Sequence, residues 1–369
     1  MNFGFSEEQN LLRGAVRRFV TNNFPSSELR RFVKEPFAMR EHAWPTLCDF
    51  GCFGTVVPEV DGGLELKWID LVVVLEELGR GLCPLPALSQ VVSIFAIAKH
   101  ASERLKKKWL PSLIQGQSIM SPALCDESHR GELGILLHGK RDGTSYILNG
   151  TKRFVPDVTL ADCYLVAFIC DDEPEQIRLA ALKTDSSLRA TIQPTVDRTK
   201  PTGDIEIDEM IVAVEDTFSL TRDAFQHLLD CGALVVSAEA VGAAEAALSL
   251  TVEYAKKRIQ FGSAIGRFQG VKHPLANMYT EVESMKSLTY FAAWSADGDP
   301  RAFRKAVSLS KGYCSDAFNR LAIECINLHG AMGFTEEYDI QLFLKRAKWV
   351  RPAYGDSHFH FVRAATEVR

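Results

Sequence analysis

Metal-ligand and disulfide spacing are missing from this sequence. Its nine cysteines are odd in number and contain no Cys-x-x-Cys and no Cys/His cluster; Cys48 and Cys52, four apart, fall on a stretch expected to be helical. That excludes a zinc ribbon and a disulfide scaffold, and it points to reduced thiols in a cytosolic compartment with no metal site. Long uncharged apolar runs are missing too. The nearest, Leu228 to Leu250, contains Asp230, Glu239 and Glu245, so a buried helix is expected there rather than a bilayer span. Met1 to Gln9 has neither the basic segment nor the apolar segment of a secretory signal. Positive charge is in short supply: 42 Lys and Arg against 47 Asp and Glu give a net charge of −5. This argues against a nucleic-acid surface, while leaving room for a local basic patch that binds a phosphorylated ligand. There is no internal repeat and no low-complexity tract.

What is present is a large hydrophobic share, 46% of 369 residues, enough for two or three packed units. Ser6 followed by Glu7-Glu8-Gln9 reads as a helix cap with an acidic first turn, and Leu11, Leu12, Ala15, Val16 and Phe19 recur at helical spacing. Pro25-Ser26-Ser27 should break that helix, Trp68 to Gly79 should form another, and Leu105 to Ile114 a third that closes at Gly116. Lys106-Lys107-Lys108 reads as a solvated helix face. From about residue 117 the period changes. Tyr146-Ile147-Leu148, Asn149-Gly150 and Arg153-Phe154-Val155 look like a hairpin with a type I′ turn, and Cys163 to Ile169 is a continuous apolar β run. Leu179 to Leu182 and Ile205 to Ile207 fit further strands, with Thr199 to Gly203 as a loop. After Thr221 the helical pattern returns and lasts to the end, and Leu228 to Lys257 is apolar on nearly all faces.

Two motifs in that last third carry chemistry. Arg258-Ile259-Gln260-Phe261-Gly262-Ser263-Ala264-Ile265-Gly266, followed by Phe268-Gln269, places an Arg and a Gln beside a glycine turn. About sixty residues on comes His329-Gly330-Ala331-Met332-Gly333-Phe334-Thr335. An arginine fork and backbone N–H groups brought close by glycine suit the pyrophosphate of a dinucleotide.

In order and spacing, these motifs resemble the acyl-CoA dehydrogenase family. So do Val57-Pro58-Glu59 with Gly62-Gly63, Glu77-Leu78-Gly79-Arg80, Trp109-Leu110-Pro111 before Gly116, and Asn149-Gly150-Thr151-Lys152 leading to Ala161-Asp162. The resemblance covers essentially the whole chain. It implies an α+β fold with a helical N-terminal domain (1–116), a small middle β-domain (117–222) and a C-terminal four-helix bundle (223–369). It also implies FAD as cofactor, an acyl-CoA substrate and an electron-transfer flavoprotein as acceptor. In the family a carboxylate removes the α-proton of the thioester while the β-hydride passes to flavin, and the trans half of the flavin site holds the FAD of the neighbouring subunit. By position that trans half is Arg258, Phe261, Gln269, Asn327, His329, Gly330 and Gly333, with Asn327 where Gln is usual and Ala331 where a Gly is usual.

The catalytic half departs from the family pattern. Before the glycine of the closing segment, where most members carry the catalytic Glu, stands Tyr354; at the alternative position on the central helix stands Gly232. A neutral phenol is no carboxylate at neutral pH. Asp356 and Asp230 each lie two residues away, a rotation of about 200° on a helix, and read otherwise as a cap or a surface carboxylate. The flavin-facing run is Ala123-Leu124-Cys125-Asp126-Glu127-Ser128-His129-Arg130, without the glycines and proline usual there, and Arg153-Phe154-Val155-Pro156 replaces the Trp-containing run. A degraded catalytic half beside a preserved trans half is similar to the heterotetrameric dehydrogenases of steroid catabolism. The expectation is a subunit without its own base that completes a homologous partner's FAD site. The alternatives are a self-sufficient homo-oligomer using Asp356 or Asp230, and an acyl-CoA-binding scaffold without redox chemistry.

Overall fold

A computed structural model describes residues 5–129, 132–184 and 187–366, with backbone alone at 36–39, 127–129, 132 and 133. The chain divides into two compact units. One comprises Met1–Arg30, Val72–Cys83 and Ala233–Arg369; the other comprises Arg31–Leu71 and Pro84–Gly232.

The chain opens with six helices: α1 (Glu7–Asn23), α2 (Ser26–Phe32), α3 (Pro36–Cys48), α4 (Trp68–Arg80), α5 (Ala87–His100) and α6 (Glu103–Ile114). The start of α1 is a reciprocal capping box. The Gln9 N–H donates to Ser6 Oγ at 3.2 Å and the Ser6 N–H to Gln9 Oε1 at 2.9 Å, which satisfies two of the donors a helix start leaves open. Val16, Phe19 and Val20 form its buried stripe. Cys48 ends α3, and Cys52 sits in a separate 3₁₀ turn after Gly51 in the left-handed region, so the two cysteines do not share one helix. Helix α5 is buried from Ala87 to Ala98, which obliges its polar residues to find partners. Gln90 Nε2 donates to Leu113 O (2.7 Å) and Ser118 O (2.9 Å), its Oε1 accepts from Met120 N, and Ser93 Oγ donates to Met120 O.

That stitching ties α5 to a sheet. The strands are β1 (Met120–Ala123), a two-stranded ribbon β2 (Glu127–His129) and β3 (Glu132–Gly134), then β4 (His138–Asp142), β5 (Ser145–Pro156), β6 (Cys163–Cys170), β7 (Glu173–Lys183), β8 (Leu188–Ile192), β9 (Thr202–Ala213) and β10 (Thr217–Thr221). The order is β10-β7-β6-β4-β5-β9-β8, with β1 added parallel to β6. β6 is buried along nearly its full length, as its unbroken apolar run requires. The expected hairpin at Asn149-Gly150 is corrected by the structure. β5 runs straight through it, and Gly150 marks a bulge between Leu148 and Gly150 in the pairing with β9. The hairpin turn lies earlier, between the paired Asp142 and Ser145, with Gly143 (φ +57°) and Thr144 as its two central residues; glycine at the first central position is a hairpin-turn signal of its own. Thr202 and Gly203, expected in a loop, open β9. The lysine run lies on a helix face with Lys107 and Lys108 exposed, and two of its lysines form ion pairs there. Lys106 pairs with Asp61 at 3.0 Å and Lys108 with Asp216 at 2.9 Å, leaving Lys107 to solvent.

The remaining elements are α7 (Arg222–Lys257), a short hairpin β11 (Ile259–Gln260) and β12 (Ser263–Ala264), α8 (Gln269–Ser295), α9 (Pro300–His329), α10 (Ile340–Val350) and α11 (Ser357–Thr366). Helix α7 is long and apolar enough to cross a bilayer, but 78% of its most apolar window is buried in the fold. Helices α8, α10 and α11 pack on α9. The crossing of α4 and α7 is close enough that a Cβ on Gly242 would stand 1.7 Å from Glu76 O, and one on Gly79 would stand 2.0 Å from Glu239 O.

Candidate functional site

The last turn of α7 leads directly into the site. The Arg258 N–H donates to Tyr254 O at 2.8 Å and its carbonyl accepts from Ile265 N at 2.9 Å, so its backbone closes both the helix and the β11–β12 hairpin. The two turn residues, Phe261 (φ +50°) and Gly262 (φ +74°), are both left-handed, the geometry a two-residue hairpin demands. Phe261 is 93% exposed, with Phe268 set edge-on at 6.1 Å. Gln269 opens α8. The side chains of Arg258 and Gln269 are exposed, and neither hydrogen-bonds to any described residue.

The facing wall comes from the end of α9. The His329 ring is buried, with Nδ1 2.7 Å from Cys325 O, stacked on Tyr254 at 4.3 Å and tilted against Tyr338 at 5.0 Å. Burial lowers its pKa, so the ring is neutral, Nδ1 carries the proton and Nε2 is left as a lone-pair acceptor. The Tyr254 hydroxyl donates to His329 O at 3.4 Å. His329 thereby joins the ends of α7 and α9, and its buried Nε2 has no hydrogen-bond partner among the described residues. Gly330 (φ +60°) has open space where a side chain would stand, whereas a Cβ on Gly333 would meet Ile326 O at 2.8 Å. Asn327 is exposed and donates to Glu324 at 3.4 Å. An arginine with no carboxylate partner, an uncommitted amide and a glycine turn with room above it fit a dinucleotide pyrophosphate.

The first position of the family base also lies in this unit. Tyr354 (φ +55°) and Gly355 (φ +99°) form a left-handed pair. His360 Nε2 donates to Tyr354 O at 2.9 Å, and Lys311 Nζ donates to Gly355 O (2.9 Å), Arg351 O (3.3 Å) and Ser315 Oγ (2.7 Å). Asp356 Oδ1 accepts from Phe359 N at 2.9 Å and so caps α11. In the other unit, Gly232 offers no side chain. Asp230 is buried on α7 and accepts from Gln226 Nε2 at 3.2 Å.

On the sheet, Phe154 occupies a bulge between Lys152 and Val155. Its φ is +55°, its N–H lies 3.3 Å from Asp204 Oδ1, and its ring is largely exposed. Arg130 lies outside the described residues, as do the side chains of Glu127, Ser128 and His129. Sequence reasoning missed the buried pair Lys152–Asp126, 2.6 Å apart. Asp126 Oδ2 also accepts the N–H groups of Leu136 and Leu137, so this pair shapes the segment after β1. Three of the seven left-handed non-glycine residues among those described, Phe154, Phe261 and Tyr354, are aromatics at these sites. Backbone strain of that kind concentrates at ligand-facing positions.

Comparison with known proteins agrees with this geometry. The acyl-CoA dehydrogenase N-terminal domain family matches residues 6–117 and the C-terminal domain family residues 222–367. Acyl-CoA dehydrogenase IpdE2 of Mycolicibacterium smegmatis is 29% identical over 98% of this chain and 99% of its own length. Among solved structures, the Tcur3481-Tcur3483 steroid ACAD superposes with a TM-score of 0.88 at 27% identity, covering 98% of both chains. The ChsE4-ChsE5 complex of Mycobacterium tuberculosis does so with 0.89 at 26% identity, covering 100% of this chain and 99% of that one. The chain belongs to the acyl-CoA dehydrogenase family, whose cofactor is FAD.

Proposed function

We propose that this chain is the base-less partner subunit of a hetero-oligomeric acyl-CoA dehydrogenase, and that its Arg258 wall completes the FAD site of a homologous subunit. The observation that carries the reading is the pairing of an intact, uncommitted Arg258–Gln269–Gly330 wall with a carboxylate-free base position. Arg258 would supply a charge-assisted fork to the pyrophosphate, Gln269 an amide donor, and the 330–333 turn backbone N–H groups. Phe261 would cover apolar surface of the partner. Bound FAD supplies the hydride acceptor for α,β-dehydrogenation of the thioester. Proton removal falls to the partner's carboxylate, because Tyr354 brings none to the base position. Asp356 is engaged in capping α11 and Asp230 in a buried contact with Gln226, which weighs against a self-sufficient homo-oligomer. Resemblance to steroid members supports a bulky steroid side-chain CoA thioester as substrate and an electron-transfer flavoprotein as acceptor.

The test is purification alone and after co-expression with a homologous subunit, read by flavin absorbance and acyl-CoA-dependent dye reduction. The lone chain should hold little FAD and turn nothing over, and the complex should gain both. Arg258→Ala should weaken flavin retention by the complex by about tenfold to a hundredfold, the worth of a charge-assisted hydrogen bond. Full flavin and turnover in the lone chain would overturn the reading, as would undiminished flavin in the Arg258→Ala complex.

A further inference from the structure

Lys311 is a fully buried amine that forms no ion pair with a carboxylate among the described residues. Its three acceptors are Ser315 Oγ, one helical turn on in α9, and the carbonyls of Arg351 and Gly355. His360 holds the carbonyl between them, that of Tyr354. Three carbonyls of one five-residue turn are therefore gripped by two side chains. The packing is built around the grip. A Cβ on Gly355 would stand 3.0 Å from His360 Nε2 and 2.7 Å from the Phe359 ring, and one on Gly312, next to Lys311, would stand 2.9 Å from the Phe361 ring, so α11 lies flush on α9.

We propose that Lys311 and His360 are positioning residues that clamp the main chain on both sides of Tyr354 and thereby fix where its phenol stands. The role holds whether or not the chain serves a partner's flavin.

Among the described residues, the charged and titratable groups around the clamp are Cys314 and Asp316 on α9, Arg351 after α10, paired with Asp316 at 3.7 Å, and Asp356, His360 and Arg363 on α11; α8 brings the Thr289 hydroxyl near Ser310 and Cys314. Burial lowers His360 to about 2, which leaves it a neutral donor at all working pH values. Burial lowers Lys311 to about 7, with Cys314, Asp356 and Asp316 opposing the drop. Lys311 is thus the group that titrates. Opening the turn hydrates its amine and restores a pKa near 10.4. The open form then binds more protons than the closed form between about pH 7 and 10, and closure strengthens as pH rises through 7, the neutral amine keeping its two N–H donors for the carbonyls of Arg351 and Gly355 while its lone pair accepts from the Ser315 hydroxyl.

Amide hydrogen exchange of the 351–356 segment, corrected for the intrinsic rate, reads this directly. Wild-type protection should rise about tenfold from pH 6 to pH 8. Lys311→Met should abolish that pH dependence and cut protection at pH 8 by about tenfold, yet leave the melting temperature unchanged or higher, since methionine fills the space without a buried charge. A merely structural lysine would lower local protection and melting temperature together. His360→Gln, which keeps a donor, should preserve more protection than His360→Phe. A flat wild-type profile overturns the proposal, as does unchanged protection of 351–356 in Lys311→Met. Should that variant not fold, the wild-type profile decides by itself.

Discussion

Three glycines inside helices of one unit should respond to alanine with opposite signs, because their surroundings differ by ångströms. At Gly242 on α7 a Cβ would lie 1.7 Å from Glu76 O and 2.9 Å from Arg80 N; at Gly79 on α4 it would lie 2.0 Å from Glu239 O. Backbone atoms cannot swing aside as a flexible side chain does, so the helices must part by more than an ångström to reach ordinary contact. That parting would also strain the charges that straddle the crossing. Glu77 accepts from Arg17 at 2.6 and 2.8 Å and from Arg80 at 3.1 Å, and Arg80 and Lys286 both bond Glu245. Overpacking of a tight core costs about 1–3 kcal/mol, and the added strain puts Gly242→Ala at about 3 kcal/mol. With roughly 2–4 °C per kcal/mol for a unit of this size, the melting temperature should fall by about 6–12 °C. Gly14 in α1 is the control. There a Cβ meets only the Arg18 guanidinium at 3.7 Å, an ordinary contact, so Gly14→Ala should stabilise by about 0.5–1 kcal/mol through reduced backbone freedom. Thermal melts by circular dichroism compare all three. A Gly242→Ala protein melting within a degree of wild type would refute the reasoning, since no relaxation short of helix displacement removes so deep an overlap.

Glu239 and Arg346 are both 0% exposed and bonded to each other, and Arg346 Nη2 also donates to Leu82 O at 3.1 Å. Glu239→Gln should cost about 3–5 kcal/mol by stranding a buried guanidinium, while the double change Glu239→Leu with Arg346→Met should recover most of the loss in chemical or thermal denaturation. Cys48 and Cys125 are partly accessible, yet burial pushes both thiols up to about 12. Mass-mapped labelling at pH 8 should find each at least a hundredfold slower than an ordinary thiol in the native protein and fast after denaturation; rapid native labelling of either would contradict the assignment.

Local signals were legible wherever a single neighbourhood decides the structure. The Ser6 box, the stop at Asn23 before Pro25, the apolar run of β6 and the buried face of α7 all follow from side chains within a few positions of one another. Legibility failed where partners are distant. The ion pairs of Lys106 and Lys108 were not legible because Asp61 and Asp216 lie far off in sequence, 45 and 108 positions away. Asn149-Gly150 mimicked a hairpin because glycine at a bulge and glycine at a turn relieve the same backbone constraint; only the strand register tells them apart. The site residues divide along the same line. Arg258, Gln269 and Gly330 stand exposed or open as their motif suggests, whereas His329, grouped with them by sequence, is enclosed by Tyr254 and Tyr338 from two other segments.

The base position shows what a sequence change does and does not remove. Substituting a carboxylate by Tyr354 eliminates a proton acceptor, but the frame that would aim it is still built in full: Gly355 in a conformation only glycine adopts freely, His360 on one carbonyl, Lys311 on two more. Burying a lysine without a counter-ion is costly, and a surface turn has no need of it. A left-handed aromatic adds further strain at the same place. A position that had merely lost its role could shed both costs by ordinary substitution, for example an apolar residue at 311. The grip of Lys311 and His360 on the turn around a phenol therefore argues that residue 354 has a place to hold.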